Sequence, residues 1–179
     1  MTAEKRDVST VLISEEQIAA KVREIGEEIG RDYAGEAVLL VGILKGSVTF
    51  LADLMRAIPL EDVSIDFMSV SSYGSSTKTS GVVKINKDID SDIRDKNVII
   101  VEDIIDTGLT LKYLKEYLCK RSPKTLKIAA IFDKPSRRKL EIEGDYVGFK
   151  VDDLFIVGYG LDADQKYRNL PYISWIKTE

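Results

Sequence analysis

The chain has 179 residues, 44% of them hydrophobic and 31% charged, and a formal net charge of −4 with no basic block; this is one soluble globular domain's worth of sequence, long enough to bury a core, and nothing in it suggests a nucleic-acid surface. There is no histidine and one cysteine, Cys119, so Ser-His-Asp triads, histidine bases, an internal disulfide and the usual zinc sites are all excluded. Any metal must be a hard cation held by carboxylates and by a substrate's own oxygens, which favours magnesium.

The opening residues, MTAEKRDVST, are charged where a secretory signal would be apolar, and no apolar run approaches a membrane span. With a single cysteine, this points to a reducing cytoplasm. Ser14-Glu15-Glu16-Gln17 has capping-box spacing, and Ile18, Val22, Ile25 and Ile29 follow at helical intervals, which predicts a scaffold helix from Glu15 to about Tyr33. Residues Ala37 to Leu44, AVLLVGIL, read as a buried strand and Lys45-Gly46-Ser47 as the loop after it. Val48, Leu51, Leu54, Met55 and Ile58 then mark a helix that Pro59 stops. Lys45 stands at the carboxyl end of a strand, where open α/β sheets collect ligands, although position alone equally describes a solvated lysine.

Val63, Ile65, Phe67 and Ser69 alternate with Ser64, Asp66, Met68 and Val70, as in an antiparallel or half-exposed strand. Ser71 to Gly81, SSYGSSTKTSG, has almost nothing apolar except Tyr73, so it packs no core of its own. It is either a plain hairpin tip or a lid, and one aromatic ring among small hydroxylic residues favours the lid. Val82 to Lys87 resumes the alternation.

Val98 to Val101 is a run of β-branched residues suited to a strand buried on both faces. Glu102 and Asp103 follow where that strand should end, Asp106 adds a third carboxylate, and Thr107-Gly108 opens a helix. Free amides and the positive end of a helix dipole bind an anion, so Asp106, Thr107, Gly108, Leu109 and Thr110 read as a phosphate loop. The acids at the strand end suit hydroxyl donors, and a sugar phosphate satisfies both groups at once. Leu111, Leu114 and Leu118 continue as a helix seam in which Cys119 reads as a small packed thiol. Thr125 to Phe132 is another buried strand, followed by the loop Asp133-Lys134-Pro135-Ser136-Arg137-Arg138-Lys139, whose Arg137, Arg138 and Lys139 read as solvated. Leu154 to Gly158 and Tyr172 to Ile176 read as strands, with Phe155 an ordinary core residue on position alone. Strands near 38–44, 98–101 and 125–132 with helices between them give an α/β fold with a central parallel sheet flanked by helices.

The block of apolar run, Glu102-Asp103, Ile104-Ile105, Asp106-Thr107-Gly108, Leu109 and Thr110 resembles the phosphoribosyl-pyrophosphate motif of the type I phosphoribosyltransferases, and its wording resembles their hypoxanthine-guanine branch. The resemblance covers nearly everything from Ala37 to Pro171. It implies a single domain with a core over about 36–150, a small hood over the sheet's carboxyl edge from the N-terminal region and about 151–179, and a flexible loop over about 71–81. For the site it implies a non-proline cis peptide at Leu44-Lys45-Gly46 meeting pyrophosphate together with Arg168, a lid carrying Ser72-Tyr73, and magnesium at Glu102 and Asp103 with a further ion held by Asp162 through water. It also implies a purine stacked on Phe155, met by the Ile156 backbone and with its C6 oxygen at Lys134, and a homodimer or homotetramer.

Asp106, between the ribose and phosphate groups, is assigned the proton on the incoming purine nitrogen. The expected activity is transfer of 5-phosphoribosyl from phosphoribosyl pyrophosphate to hypoxanthine and guanine. A lysine donates only, so it suits an oxygen at C6 and not the amine of adenine. The alternatives are a xanthine-guanine enzyme, or a phosphoribosyl-pyrophosphate sensor of the same fold; the acidic surface and the absence of a DNA-binding segment weigh against the sensor, and neither nucleic acid nor membrane is an expected partner.

Overall fold

Val38–Leu44 (β2) and Asn97–Ile105 (β5) lie parallel at the centre of the molecule, both almost wholly buried, as their unbroken apolar sequences require. The computed structural model describes residues 10–72 and 83–176. Around the central pair the six-stranded sheet runs β4-β3-β2-β5-β6-β7, with Val63–Ser72 (β3), Val83–Lys87 (β4), Thr125–Asp133 (β6) and Tyr146–Lys150 (β7). Every pairing is parallel except β3 with β4. A separate three-stranded antiparallel sheet joins Val11–Ile13 (β1), Ile173–Trp175 (β9) and Ile156–Val157 (β8).

Helices Glu15–Asp32 (α1) and Val48–Ala57 (α2) cover one face of the large sheet, and Leu109–Cys119 (α3) covers the other. The capping box of α1 is formed as expected: Ser14 Oγ accepts from Gln17 N at 3.3 Å, and Gln17 Oε1 accepts from Ser14 N at 2.8 Å. Ile18, Val22, Ile25 and Ile29 bury their side chains in the same cluster as Phe50, Leu51 and Leu54 of α2, Ile156 and Ile173 of the small sheet, and Leu161 just after β8. The first core thus holds both the main sheet and the small one, which fixes how the small sheet sits beside the carboxyl edge. No helix among the described residues is long and apolar enough to cross a membrane.

The structure revises several readings. β5 extends through Glu102 and Asp103 to Ile105, because β6 is equally long and keeps the ladder going to Ile105 opposite Asp133; the acids are part of the strand rather than beyond it. Leu154 to Gly158 contributes only Ile156–Val157, since its one partner strand, β9, is itself three residues long. Cys119 is exposed, because Leu111, Leu114 and Leu118 take the buried face of α3. Val48 and Met55 are exposed too, and Phe50 takes the buried place on α2. Strands β1 and β7 have no counterpart in the sequence reading: β1 exists only through its pairing with β9 at the far end of the chain, and β7 through its pairing with β6.

Candidate active site

The expected site residues come from four carboxyl-side segments of the fold. The first is the turn after β2, where the Leu44–Lys45 peptide is cis, as the resemblance implied. Gly46 sits directly against the Asp103 carboxylate, and a Cβ at Gly46 would overlap Asp103 Oδ2. The second segment is Gly158–Arg168. Gly160 has φ 97°, a Cβ there would overlap the carbonyl oxygen of Gly46, and its own carbonyl accepts from Arg168 Nη1 at 2.7 Å. Arg168 Nη2 also lies 2.7 Å from Asp162 Oδ1, and Lys45 Nζ donates to Gln165 Oε1 at 3.2 Å. Lys45, Gly46, Asp103, Asp162 and Arg168 are therefore one cluster.

Strand alternation sends Glu102 and Asp103 to opposite faces of β5. Glu102 is 9% exposed; burial, with the neighbouring Asp103 charge behind it, holds its carboxyl well above the ordinary carboxylate range. Burial likewise pushes Asp103 up to about 6, against the amide of Ile104, which donates to Asp103 Oδ1 at 2.7 Å, and the Arg168 charge. Two acids that resist ionisation when alone suit a hard cation completed by substrate oxygens. Magnesium usually binds this way, through one or two carboxylates rather than an all-protein cage. Among the described residues no group of three or more metal-ligating side chains is assembled, and both Asp162 oxygens are already engaged, Oδ1 by Arg168 and Oδ2 by the amide of Gln165 at 2.8 Å. One acceptor site on each Asp162 oxygen is thereby taken, and contact with an ion through water fits this arrangement.

The third segment is the loop Asp106–Gly108 leading into α3. Arg138 Nη1 donates to the carbonyls of Ile105, at 3.1 Å, and of Asp106, and the carbonyl of Thr107 accepts from Lys139 N at 3.0 Å. In a trans peptide the N–H of the next residue points the opposite way from the carbonyl. The amides of Asp106, Thr107 and Gly108 consequently face away from the 138–139 segment, ahead of the α3 N-terminus, where Gly108 adopts φ 82°. Successive amides aimed one way at a helix start make an anion cradle. Arg138 is thus not the solvated residue its sequence suggested: its guanidinium also meets Asp133 and is largely covered. Nothing local in the sequence marks that role.

The fourth segment forms a cavity of about 450 Å³ beside the loop, in which Asp106, Lys134, Phe155, Ile156 and Asp162 come together. Phe155 is 45% exposed there and is not a core residue. Lys134 is buried and donates to Leu154 O at 2.6 Å; burial draws its pKa down, against the charges of Asp106 and Asp153. Arg137, also read as solvated, donates through Nε to Asp106 Oδ1 at 2.5 Å and lies 3.2 Å from Asp153. Lys139 is exposed as expected. Ser72 ends β3, whereas Tyr73, the other half of the expected lid pair, lies outside the described residues.

A family model described as the phosphoribosyl transferase domain matches residues 11–164. The chain is 51% identical over 173 residues to the hypoxanthine-guanine phosphoribosyltransferase of Bacillus subtilis, covering 97% of this chain and 96% of that one. Crystal structures of a hypoxanthine-guanine phosphoribosyltransferase from Bacillus anthracis and of a hypoxanthine phosphoribosyltransferase from Staphylococcus aureus each superpose with a TM-score of 0.91, at 52% and 48% identity. Each alignment covers 96% of this chain, with 100% of the first structure and 92% of the second. The chain belongs to the phosphoribosyltransferase family, in its hypoxanthine-guanine branch.

Gly160→Ala places a side chain at φ 97° against the Gly46 carbonyl. The expected loss is about 2 kcal/mol or more of unfolding free energy, measured by denaturant titration, and an unchanged midpoint would mean that the two segments do not depend on this close approach.

Proposed function

We propose that the protein transfers the 5-phosphoribosyl group of phosphoribosyl pyrophosphate to hypoxanthine and guanine, releasing pyrophosphate and the nucleoside monophosphate. The observation that carries this reading is the cavity of about 450 Å³ in which the exposed Phe155, the buried Lys134 ammonium and the Asp106 carboxylate meet beside a loop of outward amides. A flat aromatic base fits against Phe155, and its C6 oxygen accepts from Lys134. The amides from Asp106 to Thr110, with the hydroxyls of Thr107 and Thr110, take the 5′-phosphate and fix the ribose.

In the reaction the bond from the ribose anomeric carbon to pyrophosphate breaks and the bond to the purine nitrogen forms, with the sugar passing through a positively charged, oxocarbenium-like state. Lys45 and Arg168 stabilise the charge that collects on pyrophosphate; a well-aimed donor of this kind is worth about 3–4 kcal/mol. Glu102 and Asp103 orient the ribose hydroxyls. Magnesium, held by Glu102 and Asp103 with substrate oxygens and by Asp162 through water, would neutralise leaving-group charge when bound. Asp106 takes the proton from the purine nitrogen. The Ile156 backbone meets the base edge.

The direct test is pyrophosphate release with phosphoribosyl pyrophosphate and magnesium, run in parallel on hypoxanthine, guanine, xanthine, adenine and uracil. Turnover of hypoxanthine and guanine and not of adenine is expected, because a site built to donate to an oxygen rejects its absence by ~10⁴-fold or more; turnover favouring xanthine would leave the mechanism standing and change the reading of the base pocket around C2. Adenine as the best substrate would remove Lys134 from its role. Asp106→Asn should slow turnover by roughly 10²–10⁴-fold with the KM for phosphoribosyl pyrophosphate nearly unchanged; weakened binding at unchanged turnover would move Asp106 to the ribose or the metal. Assembly into homodimers or homotetramers belongs to the same reading, and a sedimentation profile of a lone 20.0 kDa chain would contradict it.

A further inference from the structure

Four charged side chains of alternating sign follow one another around the purine cavity. Arg137 Nε donates to Asp106 Oδ1 at 2.5 Å, and Arg137 Nη1 lies 3.2 and 3.3 Å from the two oxygens of Asp153. Asp153 Oδ1 in turn lies 3.9 Å from Lys134 Nζ. All four residues line the same cavity. The sequence runs from the carboxylate assigned the purine proton to the ammonium assigned the C6 oxygen, and its two inner members carry no role in the reading above.

The guanidinium is suited to this place. It is planar and offers several donors in a fixed fork, so one group spans two carboxylates in a way that an ammonium does not. By occupying Oδ1 it fixes the plane of the Asp106 carboxylate. Asp153 offsets the guanidinium charge and at the same time faces the Lys134 ammonium, whose charged form burial disfavours and whose acidic neighbours Asp106 and Asp153 support it. Lys134 is further anchored by the carbonyl of Leu154, the residue next to Asp153.

We propose that Arg137 and Asp153 are positioning residues of the purine site, Arg137 orienting the Asp106 carboxylate for proton transfer and Asp153 holding the Lys134 ammonium where it meets a 6-oxopurine. This rests on the roles proposed above for Asp106 and Lys134. The Arg137 and Asp153 side chains are 42% and 52% exposed, so replacing them leaves the core intact.

The test is steady-state kinetics of the full chain with hypoxanthine and phosphoribosyl pyrophosphate varied separately, together with melting temperatures, for wild type, Arg137→Ala, Arg137→Lys and Asp153→Asn. Partly exposed ion pairs are worth up to about 1 kcal/mol, a factor of about five. Arg137→Ala is expected to lower kcat about fivefold, Arg137→Lys to restore little of it, and Asp153→Asn to raise the KM for hypoxanthine about fivefold while narrowing the preference for hypoxanthine over adenine. The KM for phosphoribosyl pyrophosphate should stay within about twofold throughout, well inside the effect expected of such a pair. Unchanged purine kinetics in the variants of an active wild type would overturn the inference and leave the proposed function standing. So would equal losses toward both substrates accompanied by a lowered melting temperature, which would mark a structural role. A wild type inactive on every 6-oxopurine would overturn the function itself and this inference with it.

Discussion

The site depends on a backbone-to-backbone contact that has no room for a side chain. The Asp103 carboxylate lies on Gly46, the Gly46 carbonyl lies on Gly160, and Gly160 is tied on both sides to Arg168, donating to its carbonyl at 3.0 Å and accepting from its guanidinium. Four residues from the central strand, the turn after β2 and the carboxy-terminal segment are stacked at this point. The shared core behind them, where Ile156, Leu161 and Ile173 pack with the α1 and α2 seams, sets the small sheet at the right height for the contact. A methyl group at either glycine would push the proposed pyrophosphate and ribose ligands apart.

Around this stack most charges are matched. Arg168 faces Asp162, Arg138 faces Asp133 and Arg137 faces Asp106. The exception is Glu102 with Asp103, two acids adjacent on a buried strand, and their raised pKa values express first of all the cost of burying a charge, to which the Asp103 charge adds for Glu102. Matched pairs hold their own geometry without help. The unmatched pair is where sugar hydroxyls and a hard cation would make up what the protein leaves out, and the proposed chemistry places both there.

Arg138 links these electrostatics to backbone geometry. By drawing the carbonyls of Ile105 and Asp106 to one side, it turns the following amides to the other. The proposed phosphate loop therefore owes its shape to a side chain some thirty residues later in the chain as well as to the Thr107-Gly108 turn. The same 133–139 segment supplies Lys134 and Arg137 to the proposed purine cavity, so one loop after β6 supports both halves of the proposed substrate site.

The sequence by itself determined the parts whose signal is local. Continuous apolar runs marked β2, β5 and β6, the capping box marked α1, and the strand–acid–Thr-Gly order marked the phosphate loop and, through resemblance, Lys45, Lys134, Phe155 and Arg168. The runs, the capping box and the loop rest on residues a few positions apart, where periodicity and turn chemistry act directly, whereas those four single residues were marked by the resemblance alone. Only the tertiary structure decided how far β5 runs, and so that Glu102 and Asp103 face opposite ways, because that depends on the length of β6 beside it. It alone also turned Arg137 and Arg138 from solvated residues into partners of Asp106, Asp153 and Asp133, and built β1 from three residues that pair with the far end of the chain. An arginine in a polar loop has the same composition and spacing whether it faces water or a carboxylate thirty-one residues away, and the difference exists only once the fold has brought the two segments together.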